Sequence, residues 1–212
     1  LRIPKLDDAN KAGTKDSLKC TLMLTEGDSA KTLAVAGLSV VGRDYFGVFP
    51  LKGKPLNVRD TKLEKIVKNE EISNLLKILG LSVGLLNKTK GREKRIKLLK
   101  EKLRYGRVLI FTDQDVDGSH IKGLVINVFH TLFPELMYLD EFIISLATPI
   151  IKVTNKKKKG ESKEFFTLTE YEDWKNKNDL KKWGEPKYYK GLGTSTAKEG
   201  KSYFTDFENK KI

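Results

Sequence analysis

The chain has 212 residues, with 41 Lys plus Arg against 28 Asp plus Glu and a formal net charge of +13. That length suits one to two domains with a substantial core. The basic balance favours a polyanionic partner, although charge alone does not separate nucleic acid from a solvated lysine-rich surface. A single cysteine excludes an internal disulfide, as expected of a reducing compartment, and no apolar run reaches membrane-spanning length.

The chain begins at Leu1 rather than a methionine, so it is expected to be a piece of something longer. Residues 1–18 are polar and read as a linker leading in. Cys20-Thr-Leu-Met-Leu-Thr25 is an apolar strand, followed at once by Glu26-Gly27-Asp28-Ser29-Ala30 and a largely apolar helix, Lys31 to Val41. Asp28 or Ser29 is the expected N-cap, and Gly27 lets the backbone turn. Glu26 is thereby placed at a strand end. Alone, that motif is explained as well by a capped helix start.

A second strand is expected at 45–49. Thr61 to Leu79 is helical by spacing, with Ile66, Ile72, Leu75, Leu76 and Leu79 on its apolar side and Gly80 as C-cap. The basic stretch Lys88 to Arg104 suits a solvated helix face at least as well as a path along a nucleic-acid backbone.

Val108 to Phe111 reads as a buried parallel strand, four apolar residues without alternation. Asp113, Asp115 and Asp117 follow, then Gly118-Ser-His120 and a helix from Ser119 to Phe133, stopped by Pro134. The three carboxylates sit where strand gives way to helix, the usual ligand position in an open α/β sheet. Carboxylates this close repel, so they require a cation or shifted pKa values, and hard oxygen donors suit Mg²⁺ or Mn²⁺. A calcium loop is the obvious rival. Its twelfth position falls on Leu124, where a bidentate Glu is needed, and a strand rather than a helix precedes it. A solvated acidic turn is the plain alternative. If the two strands are neighbours, Glu26 and the aspartates converge on one crevice.

The last strand of the set is expected at 142–146. Ile150 to Val153 and Glu164 to Leu168 read as a hairpin with a mobile lysine-rich tip, Lys156 to Lys159. Thr169-Glu-Tyr-Glu172 reads as a capping box opening a helix that bears Trp174, and Thr196-Ala-Lys-Glu199 as another. Lys190-Gly-Leu-Gly-Thr194 lies just before that second helix, a place able to hold phosphate. His120 stands beside the aspartates, and a structural role is expected of His130. Cys20 opens a buried strand, where thiols are inert. Ser29 has no neighbouring base and serves better as a cap.

Glu26-Gly-Asp-Ser-Ala30 together with Asp113-Gln-Asp-Val-Asp-Gly-Ser-His120 resembles the Toprim signature of type IIA DNA topoisomerases. Pro50-Leu-Lys-Gly-Lys-Pro-Leu-Asn-Val58, Tyr189-Lys-Gly-Leu-Gly-Thr-Ser195, and Ile3-Pro-Lys-Leu6 with Asp8-Ala-Asn-Lys-Ala-Gly13 are similar to the same family. The likeness runs nearly end to end and follows the eukaryotic topoisomerase II branch rather than gyrase. It implies an α/β, Rossmann-like Toprim fold: a central, mainly parallel four-stranded sheet flanked by helices, with a hairpin and helical extension. The expected division is a linker at 1–18, the Toprim domain at 19–150 and the extension at 151–212.

The resemblance also implies a mechanism. Glu26, Asp113 and Asp115 would hold one or two Mg²⁺, for which Mn²⁺ substitutes, with Asp117 assisting. Metal there stabilises charge on the scissile phosphate and the leaving 3′ oxygen, and Glu26 acts as general acid or base on that oxygen. Arg43, Lys52, Lys54 and Lys190 are the candidate contacts to DNA phosphates, with His120 beside them. Position 52 departs from the family's usual arginine, keeping the charge without the bidentate fork. The insertion between Leu81 and Arg104 is longer and more basic than the family pattern. The nucleophilic tyrosine belongs to a downstream winged-helix domain, and the site that uses ATP belongs to an upstream module. Tyr188, Tyr189 and Tyr203 are therefore poor nucleophile candidates. The implied partners are double-stranded DNA and a second copy of the full-length chain as a homodimer, in the nucleus. A Toprim primase or nuclease shares the two acidic motifs, but Pro50 to Lys54 and Lys190 to Gly193 speak against it. A non-catalytic nucleic-acid module is disfavoured by the intact Glu26, Asp113 and Asp115.

Overall fold

The computed structural model describes residues 1–113 and 116–212, with Val116 described by its backbone alone. Of the expected ligands, Asp115 lies outside the described residues.

Four strands make one parallel sheet: β1 (Thr21–Glu26), β2 (Phe46–Leu51), β3 (Arg107–Phe111) and β4 (Ile143–Ser145), in the order β2-β1-β3-β4. The central strands are apolar without alternation because both faces are covered. Leu22, Leu24, Val108 and Ile110 point into one core, and Met23, Leu109 and Phe111 into the other, as the two-residue period of a strand requires. The first core is closed by α3 (Glu70–Leu79), α4 (Arg92–Lys102) and α5 (Val116–Leu132), through Ile72, Leu76, Leu99 and Val125 among others. The second is closed by α1 (Gly27–Val41) and α7 (Ala197–Phe204). Gly37 makes that helix pair possible, since a Cβ there would lie 2.2 Å from the Phe204 ring.

A second, antiparallel sheet follows: β5 (Ile151–Thr154) between β6 (Ser162–Phe165) and the short β7 (Lys187–Tyr188). With α6 (Leu168–Lys177) it encloses a small cluster of Ile151, Val153, Phe165, Tyr171 and Trp174. The chain then returns to the first sheet. α7 and α8 (Phe207–Lys210) lead to Ile212, whose carbonyl accepts the N–H of Ser145 at 2.6 Å.

Several local expectations shift. α1 starts at Gly27, with φ +68, and is preceded by Glu26 without any side-chain cap bond, so neither Asp28 nor Ser29 caps it. The glycine turns the chain straight out of the strand, one residue before a cap could act. The helix expected over 61–79 is two, α2 (Leu63–Lys68) and α3. Asn69 is extended between them and accepts the Ile72 N–H at 3.0 Å, capping the second. α5 begins at Val116, ahead of Ser119. The capping box of α6 is Thr167 with Glu170, two residues before the pair expected. β7 was not expected. Residues 1–18 lie against the domain: Asp7 bridges Val48, and Asp8 receives hydrogen bonds from Tyr105 and Arg104. His130 is exposed in the last turn of α5 rather than buried in a core.

Candidate metal and nucleic-acid site

β1 and β3 are hydrogen-bonded neighbours, with Thr25 opposite Phe111. Glu26 therefore ends one strand beside the point where Asp113 follows the other. The two strand ends are thus adjacent, at the carboxyl edge of a parallel sheet. Both residues are half-buried. Asp117 stands exposed in the first turn of α5 and takes an ion pair from Lys54 Nζ at 2.8 Å. The Lys54 ammonium holds the Asp117 carboxyl below its usual range. The repulsion expected among the aspartates is thus relieved for Asp117 by a lysine. Asp113 finds a different partner, because its Oδ1 accepts the backbone N–H of Leu192 at 2.5 Å.

That bond joins the glycine-rich loop to the acidic residues. The Leu192 N–H is committed to a carboxylate, and the first turn of α7 is closed by the Thr196–Glu199 capping box. The loop meets Asp113 through that bond. It is braced by Glu199, which accepts from the Tyr189 hydroxyl at 2.5 Å and from Lys187 Nζ at 3.0 Å. Burial alone would raise the Glu199 pKa. The Thr196 backbone N–H, Tyr189 and Lys187 outweigh it and hold the carboxyl at about 2. Burial and the Glu199 carboxylate push the Tyr189 phenol up. Tyr203 is buried and shares a 2.6 Å hydrogen bond with Ser195. Neither tyrosine is poised as a nucleophile.

Lys52 and Lys54 lie exposed just beyond the carboxyl end of β2, and Lys190 lies exposed beside the loop that touches Asp113. His120 is exposed on α5, one turn from Asp117. Lys54 reaches the acidic residues through Asp117 and Lys190 adjoins the loop that touches Asp113, so these cations lie at the carboxyl end of the sheet. Arg43 does not. It precedes β2, at the opposite end of a six-residue strand, roughly 20 Å away at ~3.3 Å per residue. Sequence reasoning missed Glu71, whose Oε2 accepts the Lys52 backbone N–H at 2.9 Å and so fixes the loop that carries both lysines. Only its place near an apolar helix face marked it, which says nothing of a loop packed alongside. Glu199 was visible as a cap and not as a brace.

The donors are carboxylates, the hard oxygen chemistry that Mg²⁺ and Mn²⁺ take. Among the described residues, no three His, Cys, Asp or Glu side chains are gathered closely enough to grip a cation. Cys20 offers nothing, its thiol being buried and pushed up to about 11 by that burial.

Comparison with known proteins places the chain in a family. The chain is 54% identical to DNA topoisomerase 2 of Drosophila melanogaster over 99% of its own length, covering 14% of that protein. It is 53% identical to DNA topoisomerase 2-alpha of Gallus gallus over 99% of its length, covering 13% of that protein. It superposes with a TM-score of 0.87 and 52% identity on the crystal structure of the Plasmodium falciparum topoisomerase II DNA-binding, cleavage and re-ligation domain. All of this chain and 27% of that one are covered. The chain thus spans a small part of the proteins it resembles. The profile described as the C-terminal associated domain of TOPRIM matches residues 146–212. The profile described as the Toprim domain matches residues 21–145, the parallel sheet and both acidic motifs, and the chain belongs to the Toprim family.

Proposed function

We propose that this chain is the Mg²⁺-binding Toprim part of the DNA cleavage and religation core of an ATP-dependent type II DNA topoisomerase. Such an enzyme passes one duplex through a transient double-strand break. The observation that carries the reading is the placement of Glu26 and Asp113 at adjacent strand ends, flanked by Lys52, Lys54 and Lys190. The identity to proteins named DNA topoisomerase 2 supports it.

In this reading Glu26, Asp113 and Asp115 hold the cation, with Asp117 assisting while Lys54 keeps it ionised. A cation held there would supply charge stabilisation to the scissile phosphate and the leaving 3′ oxygen. Glu26 exchanges a proton with that oxygen. Lys52, Lys54, His120 and Lys190 place the DNA through its phosphates, contacts that position the duplex without reading its sequence. Arg43 lies outside this surface. The tyrosine that attacks the phosphate, the site that uses ATP and the second copy of the homodimer belong to the full-length protein, working on nuclear DNA.

The test uses the full-length protein and supercoiled plasmid with Mg²⁺ and ATP. Glu26→Gln should slow cleavage and religation by roughly 10²- to 10⁴-fold, the usual contribution of a positioned acid or base, while duplex binding persists. Undiminished cleavage would remove Glu26 from the mechanism. Polymerisation or cutting of DNA by the 212-residue chain alone would point instead to a Toprim primase or nuclease.

A further inference from the structure

Asp113 is held from outside its own sheet. The Leu192 N–H donates to its Oδ1 at 2.5 Å, and a Cβ placed on Gly191 would lie 2.7 Å from its Oδ2 and 3.0 Å from its Cγ. Gly191 has φ 168° and ψ 171°, extended backbone that any residue adopts. A side chain at 191 would therefore meet no conformational barrier but the Asp113 carboxylate itself, which would have to turn aside. Gly193, two residues on, has nothing within 4 Å of the corresponding position. The loop is firmly seated. The Tyr189 N–H donates to the Ile150 carbonyl at 2.9 Å, Leu192 is buried in the second core, and Glu199 ties Tyr189 and Lys187 to the start of α7.

We propose that the Gly191–Leu192 backbone is a positioning element for Asp113. Its N–H fixes one carboxylate oxygen and its close approach limits where the other can turn, so the segment after the parallel sheet sets the cation affinity of the acidic crevice. The inference rests on the metal role proposed for Asp113. It deepens that role by tying it to a part of the chain remote in sequence. An outer partner that orients a ligating carboxylate is typically worth roughly 10- to 100-fold in metal affinity.

The experiment is a titration of the 212-residue chain with Mn²⁺ alone, free Mn²⁺ being read by electron paramagnetic resonance. Wild type is compared with Gly191→Ala, Gly193→Ala and Asp113→Asn, and each variant's melting temperature is recorded. Gly191→Ala should weaken binding by about 10-fold or more, whereas Gly193→Ala, the same exchange into open space, should leave it unchanged. Should Gly191→Ala fail to fold, Glu199→Gln serves in its place. Glutamine keeps the capping box but loses the charge that holds Lys187, so Mn²⁺ binding should weaken in the same direction. Asp113→Asn separates the two ideas. If it weakens binding while Gly191→Ala binds as tightly as wild type, or more tightly, the positioning role is overturned and the metal role stands. If Asp113→Asn itself binds Mn²⁺ normally, both fall.

Discussion

The two sheets of this molecule are built on different terms. In the parallel sheet, Leu22, Met23, Leu24, Val108 and Leu109 are fully buried, and two cores flank the strands. In the antiparallel sheet one small cluster does the packing. It relies on Phe165, Tyr171, Trp174 and Trp183, with ring centroids 5.1–5.3 Å apart between several pairs. The first has the depth to hold acidic side chains in place at its edge. The second has a shallow core and an exposed lysine turn. The chain nevertheless crosses back, so that Phe204 from the C-terminal segment packs against Phe111 of β3, ring centroids 5.4 Å apart. The lesson is that the boundary between the matched segments at residues 145 and 146 is not a boundary in packing.

The sharpest way to break that comparison is to remove one large aromatic from each side. Phe204→Ala should cost about 3–5 kcal/mol and lower the unfolding transition of the whole molecule, because its ring fills the space between Gly37 and Phe111. Trp174→Ala carries a similar loss on its own side. Its effect should stay local, raising amide exchange in β5, β6 and α6 while β1 and β3 remain protected. Denaturant melts with hydrogen exchange decide this. Equal loss of protection in both sheets after Trp174→Ala would mean that the molecule unfolds as one unit.

How much of this could be read from the residues differs by element. The unbroken apolar runs of β1 and β3 announce strands buried on both faces, and the turn into a helix after each announces a site at their carboxyl ends. The two strands are neighbours, so the motifs that follow them start from adjacent strand ends. Arg43 shows the limit. A sequence gives the order of strand and helix but not which end of the sheet a charged residue faces until the register is known. Asn69 sits where both an unbroken helix and a cap are chemically reasonable, and only packing chose the cap. Before α6, Thr167 with Glu170 and Thr169 with Glu172 both satisfy the capping-box spacing, so the pattern could not decide between them. The Leu192 contact was out of reach for a deeper reason. The group that meets Asp113 is a backbone N–H, which every residue but proline carries, and no side-chain motif marks it.

A finer test concerns the brace that joins the two regions. Glu199 has its carboxyl held at about 2, below its ordinary value of 4.5, chiefly by the Thr196 N–H, Tyr189 and Lys187 acting against burial. Because the folded pKa is depressed, the stability this residue contributes is fully present above about 4.5 and is lost as pH falls through the folded value. A shift of this size corresponds to about 3 kcal/mol at most, and less once solvent screens the partly exposed carboxylate. Acid titration of the wild type should therefore show stability declining between about pH 4.5 and 2, on top of the general decline of other carboxylates. Glu199→Gln should begin less stable at neutral pH and fall less steeply across the same window, because glutamine does not titrate. If the two curves ran parallel, Glu199 would be an ordinary helix cap. The seating of the 189–196 loop would then have to come from Leu192 in the second core and from the Tyr189–Ile150 backbone bond.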